Sequence, residues 1–399
     1  MHIIPIHPIP DNLLEKVGFY WYASPSEESY VADELVVITE EEGNRFYEAA
    51  DQLYEMYITA GQYVIDHDLF PQLDIPANLV AMIKHSWEDD RHFHLIGRFD
   101  FAGGLDGIPI KLIEFNADTP SMIFEVALIQ WMILKYNGMN EELQFNRLYE
   151  TLRESFERIK KVNPAFASED GAIPHALFSC LNMGLEDENT TRLLEDIAYE
   201  AGYITGFDYA DEVVFHRGHS LNKGGIFNSR GEHYDFWFKL IPYEYIGNDE
   251  PELADILSEL FVKDKIVLLN PPYTLLFQSK GILKILWDLF PGHPLLLETQ
   301  WEPLKGKRCV NKKTLSREGD NVIILDEQGR EVEKREGLYE ACRSIYQAYA
   351  ELPSDGDNRL YQAGVFFSYE PCGIGFRREM GIIHNHSQFI GHTVQDRSF

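Results

Sequence analysis

Three things are scarce in this sequence, and each scarcity removes a class of function. There is no cysteine framework. Cys180, Cys309, Cys342 and Cys372 are widely spaced and none forms a CxxC pair, so neither a disulfide-stapled scaffold nor a zinc module is expected. There is no long apolar run, and Met1-His2-Ile3-Ile4-Pro5 is not a basic segment ahead of an apolar one, so no membrane span and no secretory leader is expected. Positive charge is also short: 35 Lys and Arg face 65 Asp and Glu, a formal net charge of −30. No basic patch offsets that field, which argues against general nucleic-acid binding. The expectation is a soluble cytoplasmic protein, monomer or homodimer, whose partners are neither nucleic acid nor membrane. The acidic surplus is compatible with a cationic or amine substrate, and solubility is the simpler reading of it.

What the chain does have is core material. Its 399 residues are 45% hydrophobic and 13% aromatic, enough for two or three domains or one large composite unit. After an irregular, proline-bearing stretch over residues 1–30, Thr39 can cap a helix with Glu40, Glu41 and Glu42 in its first turn. Phe46, Ala49, Leu53, Met56, Tyr57 and Ala60 continue it at core spacing. Helices are predicted over 121–137, 141–162, 191–201, 281–289 and 338–350, and strands near 175–178, 213–215, 236–240, 266–269, 322–325 and 365–367. Strand and helix interleave without a repeat, a low-complexity tract or a linker. That pattern favours one composite unit over 1–399, with sub-regions of about 1–165, 166–300 and 301–399.

Chemistry concentrates in Arg98-Phe99-Asp100 and, beyond the glycine-rich turn Gly103-Gly104-Leu105-Asp106-Gly107, in Glu114-Phe115-Asn116-Ala117-Asp118-Thr119-Pro120-Ser121. The two runs read as the strands of a hairpin. Residues two apart on a strand share a face, so Arg98 sits with Asp100 and Glu114 with Asn116. If paired positions sum to an even number, all four polar side chains share one face and Phe99, Phe101, Ile113 and Phe115 take the other. A slip of one residue separates the pairs. A solvated strand face is the plain alternative. A face of oxygen ligands beside an arginine suits magnesium and a phosphate, and hence phosphoryl transfer. A second segment, Lys312-Lys313-Thr314-Leu315-Ser316-Arg317-Glu318-Gly319-Asp320-Asn321-Val322, runs basic residues into a small-residue turn. Such a turn can cradle phosphate or be a surface loop. The histidines His384, His386 and His392 are too loosely spaced, and too far from acids or cysteines, to suggest a metal site.

Taken together, R-F-D, E-F-N-A-D-T-P-S and the segment from Lys312 resemble the glutathionylspermidine synthase family of ATP-grasp-like carboxylate–amine ligases. Asn270-Pro271-Pro272, Ser279-Lys280, Leu289-Phe290-Pro291-Gly292-His293-Pro294 and Asn385-His386-Ser387-Gln388-Phe389 add to the resemblance in the right order. It is to the stand-alone synthetase type, without the amidase domain fused to some members. The implied fold is α+β, an ATP-grasp-like multi-lobed synthetase with mixed and antiparallel sheets. It would comprise a helical N-terminal part with a metal-binding hairpin, an α/β part, and a nucleotide-binding lid with C-terminal strands.

The implied cofactors are ATP and Mg2+. Asp100, Glu114 and Asn116 fall where the family holds magnesium. Arg98 falls where an arginine stabilises the transferring phosphoryl group, which makes it the catalytic candidate. Lys312, Lys239, Arg317, Gly319, Gln347 and Glu351 are the implied nucleotide contacts, the last in an adenine-side hinge with Tyr346. Thr119, Ser121 and His384 are the implied substrate contacts. The implied reaction joins a small-molecule or peptide carboxylate, of the glutathione C-terminus kind, to an amine through an acylphosphate. A non-catalytic nucleotide- or peptide-binding protein that keeps the fold is the alternative. The chain departs from the family pattern at Lys313, where a proline is usual, and at Ser316, where a glycine is usual. It also has His384 where an aspartate associated with the polyamine is expected. A histidine supplies no fixed negative charge, so spermidine is not the expected amine.

Overall fold

A computed structural model describes residues 1–22, 29–166, 173–218 and 224–395. Four sheets organise them. The largest has seven strands, in the order His2–Pro5, Val31–Ile38, Gln388–Val394, Glu370–Glu379, Leu360–Ser368, Gly97–Ala102 and Lys111–Asn116. All its pairs are antiparallel except Gln388–Val394 with Val31–Ile38. The sheet therefore closes the two ends of the chain onto each other and puts the Arg98 hairpin at one edge. A four-stranded parallel sheet runs Val267–Leu269, Phe236–Leu240, His175–Cys180, Ile204–Phe207, with the helix Leu185–Glu200 crossing between the last two. A five-stranded antiparallel sheet runs Thr299–Gln300, Ser344–Ala348, Cys309–Lys313, Val322–Leu325, Glu331–Arg335. The fourth sheet is a small three-stranded one. Interleaved helices with mixed and antiparallel sheets make this an α+β fold.

The helix expected from Thr39 forms over Glu40–Asp66 with a full capping box. The Thr39 hydroxyl accepts from Glu42 N at 3.1 Å, and the Glu42 carboxylate accepts from Thr39 N at 2.9 Å. Its stripe packs across the large sheet, where Phe99 and Phe115 stack in parallel with centroids 3.7 Å apart and Tyr57 meets both edge-on. The apolar side of the hairpin is thus held by aromatic burial, leaving the polar side free for chemistry.

Several expectations are corrected. Residues 1–30 are not all irregular, because His2–Pro5 pairs with Val31–Ile38. The helix predicted over 121–137 opens instead with a wide turn, Glu125–Ile129, before Gln130–Tyr136. The helix predicted from 141 starts only at Leu148. Asn146 diverts the chain before it by donating to Val126 O at 2.7 Å and accepting from Leu148 N at 3.2 Å. The helix predicted over 338–350 is the strand Ser344–Ala348, paired on both sides. Its alternating burial, with Ile345 and Gln347 inside, is a strand period that tertiary pairing imposes over local helix propensity. The helix predicted from Thr191 begins earlier, at Leu185, so its first turn carries Glu186, Asp187 and Glu188. Among the described residues, no helix is long and apolar enough to cross a membrane, and all four cysteines are free thiols.

Candidate active site

The hairpin register decides the face. Arg98 pairs with Asn116 and Asp100 with Glu114, so these positions sum to an even number and the four polar side chains stand together; a bulge after Asp100 then pairs Phe101 with Leu112, so Ile113 lines the cavity and not the apolar face on which it is expected. The Arg98 fork grips Asp100 with Nε to Oδ1 at 2.6 Å and Nη2 to Oδ2 at 2.9 Å, and its Nη1 donates to Ser121 O at 2.6 Å. The neighbouring strand gives way beneath it at Gly364. A Cβ there would sit 2.8 Å from Arg98 Cδ and 3.0 Å from Met122 Cε, so only glycine lets the arginine lie flat. Asn116 Nδ2 donates to Asp100 Oδ2 at 3.0 Å and to Glu114 Oε1 at 3.3 Å.

This face forms one wall of a cavity of about 530 Å³. The five-stranded sheet supplies the opposite wall with Lys312, whose Nζ donates to Gln347 Oε1 at 2.9 Å and to Ile113 O at 3.3 Å. Lys280 adds an ammonium 3.3 Å from Glu114 Oε2. Burial works to raise the Glu114 carboxyl, but Lys280, Lys312 and Arg98 outweigh it and hold it at about 2. Burial pushes Lys312 the other way for a base, down to about 8, with Glu114 opposing. The loop 316–319 adds Arg317, whose Nη1 donates to Thr119 Oγ1 at 2.5 Å and whose Nε donates to Glu244 Oε1 at 2.9 Å. Gly319 takes φ +75°, and a Cβ on it would press on Ile383 O at 2.9 Å.

The structure therefore gathers Arg98, Asp100, Glu114, Asn116, Thr119, Ser121, Lys312, Arg317, Gly319, Gln347 and His384 around one cavity. It does not bring Lys239 or Glu351 to its wall. Lys239 is fully buried; its Nζ donates to Asp118 Oδ1 at 2.9 Å and Ile241 O at 2.7 Å and lies 3.3 Å from the Tyr243 ring centre. That corrects the expected phosphate contact: the ammonium is committed to Asp118, whose other oxygen accepts from Tyr243 N at 3.1 Å. Glu351 is exposed, while its neighbours Ala350 and Leu352 line the cavity.

Three contributions escaped the sequence reading. Lys280 was seen only as part of a resemblance. Arg377 lies on the central strand Glu370–Glu379, with Nη2 donating to Ser121 Oγ at 3.1 Å and Nε unpaired. Two adjacent arginines on a buried strand were the available signal, since they must face opposite ways; Arg378 turns instead to Glu34 and Gln388. Glu186 and Asp187 reach the cavity because their helix starts before the position where it was expected. Burial, with Glu125 nearby, raises Glu186 to about 8, and burial with Glu318 raises Asp187 to about 6. His384 sits 3.4 Å from Glu379, and burial with Arg335 keeps its pKa low.

The donor set fits a hard cation. Asp100, Glu114 and Asn116 offer oxygens without thiol or imidazole, and half a turn of the Asn116 carboxamide presents its oxygen where its nitrogen now stands. A protein of net charge −30 has also assembled Arg98, Lys280, Lys312, Arg317 and Arg377 around one cavity. Asp100, Glu114, Glu186, Asp187, Glu318 and Glu333 line the same cavity, so its wall offers cationic donors to an anionic group and carboxylates to a metal ion or an ammonium. A family model described as glutathionylspermidine synthase preATP-grasp matches residues 1–395.

The chain belongs to this family.

Within the glutathionylspermidine synthase family, a Haemophilus influenzae protein named "Putative acid--amine ligase" is 27% identical over 403 residues, covering 97% of each chain. The bifunctional glutathionylspermidine synthetase/amidase of Escherichia coli is 27% identical over 342 residues, covering 79% of this chain and 52% of its own length. The chain thus matches about half of that bifunctional protein. Among solved structures, a glutathione synthetase-like effector from Globodera pallida superposes with a TM-score of 0.55 over 98% of both chains at 10% identity, a likeness of fold alone.

Proposed function

We propose that this protein is an ATP- and magnesium-dependent ligase that joins a carboxylate to an amine through an acylphosphate. One observation supports the reading: the oxygen ligands of the hairpin and five cationic side chains line a single cavity. Asp100, Glu114 and Asn116 would hold magnesium, which neutralises phosphate charge and screens it from the incoming carboxylate.

A carboxylate is a poor electrophile until one oxygen becomes a good leaving group. A carboxylate oxygen attacks the γ-phosphorus, the bond to the β–γ bridging oxygen breaks, and ADP departs. The amine nitrogen then attacks the carbonyl carbon, the C–N bond forms, phosphate leaves with the C–O bond, and the nitrogen loses a proton. Arg98 meets the charge that develops on the transferring group. Lys312 and Lys280, which reach the hairpin at Ile113 and Glu114, hold the nucleotide phosphates. Arg317 and Arg377 position the acid, because they converge on the hydroxyls of Thr119 and Ser121. Enclosure between the two sheets keeps water from the acylphosphate.

The amine belongs at Glu186 and Asp187. Both carboxyls are half-buried in the free protein with raised pKa values, and an ammonium beside them relieves that cost. The same cavity has His384 where the resemblance implies an acid, and the nearby Glu379 is engaged with that histidine, so spermidine is not the preferred amine. An ADP-release assay with magnesium, run over peptide carboxylates paired with amines and amino acids, tests the reading. Release that requires both partners supports it. No release with any pair, together with no magnesium-dependent ATP binding, overturns it. Efficient use of glutathione with spermidine overturns the amine assignment alone.

A further inference from the structure

Away from the cavity, four side chains with metal-ligand chemistry converge where the helix Val80–Glu88 ends. His85 lies in its last turn, Asp89 follows at its C-cap, and His92 comes three residues later. Asp264 arrives from a distant part of the chain, on a left-handed turn just after the helix Pro251–Val262. One ligand atom from each residue lies within 4.8 Å of the others. The first three follow a His-x3-Asp-x2-His spacing that a helix and its exit turn bring to one side.

His92 distinguishes this cluster from an ordinary polar patch. It is only 7% exposed, and neither of its ring nitrogens has a hydrogen-bond partner. Buried polar groups are normally satisfied, so a buried imidazole with two unused nitrogens asks for a ligand. Arg91 meanwhile bridges the two carboxylates. Its Nη2 lies 2.5 Å from Asp89 Oδ2 and 2.8 Å from Asp264 Oδ1. The two carboxylates are already arranged around a positive charge. The side chain that supplies it is 37% exposed, and an ion that replaces it must break its bonds from Nε and Nη2 to Asp89 and from Nη2 to Asp264.

We propose that His85, Asp89, His92 and Asp264 bind one divalent transition ion, with Arg91 as the stand-in that the ion displaces. Two imidazole nitrogens and two carboxylate oxygens suit zinc better than magnesium or calcium, which take all-oxygen shells. Ligand atoms about 2.1 Å from a tetrahedral zinc lie about 3.4 Å apart. The widest pair therefore closes by up to about 1.4 Å, which side-chain rotation supplies once Arg91 leaves. The ion would link residues 85–92 to residue 264. From His92 the chain runs into the strand that carries Arg98. From Asp264 it runs into Val267–Leu269 and then Asn270, whose side-chain oxygen accepts from Leu95 N at 2.8 Å and Ile96 N at 2.9 Å. Zinc would thus brace the junction behind the catalytic hairpin without touching the cavity.

The test uses the whole chain, stripped with EDTA and desalted. Zinc binding is measured by calorimetry in excess magnesium, and melting is followed with and without zinc. The expected result is one zinc per chain and a higher Tm. His92→Ala and Asp264→Asn should each weaken binding at least tenfold, and Arg91→Ala should strengthen it. Where His92→Ala fails to fold, His85→Ala at the more exposed helix end and Asp264→Asn on the surface carry the test. A wild-type chain that neither binds nor is stabilised by zinc overturns the proposal. So does zinc binding left unchanged by His85→Ala and Asp264→Asn.

Discussion

Lys239 and Lys312 sit in similar places in the sequence and in different ones in the molecule. Each lies on a strand, each is buried, and each is an expected nucleotide contact. Around Lys239 the protein supplies everything the ammonium needs: the Asp118 carboxylate, a backbone oxygen and the face of Tyr243. Around Lys312 it supplies only neutral oxygens at hydrogen-bond distance, from Gln347 and Ile113, while the carboxylate of Glu114 is shared with Lys280. Burial lowers the pKa of both lysines, with Asp118 opposing in one case and Glu114 in the other. A buried cation with a private carboxylate holds the structure together. A buried cation facing a cavity, with its carboxylate shared, has charge left to offer.

The contrast can be broken most forcefully at Lys239. Lys239→Met leaves Asp118 as an unpaired buried charge and should cost about 3–5 kcal/mol of unfolding free energy in urea melts. Lys312→Met should cost far less, and a larger loss there would reverse the assignments. Arg98 combines both roles, since it is paired with Asp100 yet open to the cavity. Arg98→Ala should raise the barrier by about 2.7–4 kcal/mol, read from kcat with a working substrate pair or from slow uncoupled ATP hydrolysis. ATP affinity should fall much less, and a variant with wild-type turnover would remove the role. Lys312→Met should weaken magnesium–ATP binding by about 1.5–3 kcal/mol in calorimetry, as the loss of a charged hydrogen bond does. Folded Lys239→Met should bind ATP normally.

The smallest effect is a pH dependence. Lys312 sits at about 8 in the folded chain, below the ordinary lysine value of about 10.4, so the unfolded chain holds more protons between those limits. Its contribution to stability therefore rises with pH from about 8 to about 10.4. Nucleotide affinity should move the opposite way, falling less than about tenfold between pH 7 and 9 as the ammonium is lost. Lys312→Met should abolish both trends. Glu114 sets the acid side: held at about 2, below an ordinary value of about 4.3, it adds stability that fades as pH falls through that window. Glu114→Gln should flatten the acid limb of the stability curve.

The parts of this molecule that could be read in advance are those written locally. The Thr39 cap, the two-residue alternation of the hairpin and the strand at Phe236–Leu240 each declare themselves within a few residues. The register of the hairpin was a conditional statement until the pairing of Arg98 with Asn116 settled it. What stayed hidden depends on distant partners. Ser344–Ala348 becomes a strand because Cys309–Lys313 and Thr299–Gln300 flank it. Arg377 becomes a site residue because its strand crosses the sheet beside Leu360–Ser368, which in turn flanks the Arg98 strand. Whether Lys239 meets phosphate or Asp118 turns on a carboxylate 121 positions away.

The order of strands in the large sheet has a consequence for a chain still on the ribosome. The Arg98 strand lies between Lys111–Asn116 and Leu360–Ser368, so one of its neighbours is made almost at once and the other very late. At about 5–20 residues per second, roughly a quarter to most of a minute separates them. Through that interval the nascent hairpin has one bare edge, and Arg377 has yet to be translated. Half-made protein therefore has an incomplete cavity, and the bare edge is where a chaperone, or a neighbouring nascent chain, finds an unpaired strand to hold.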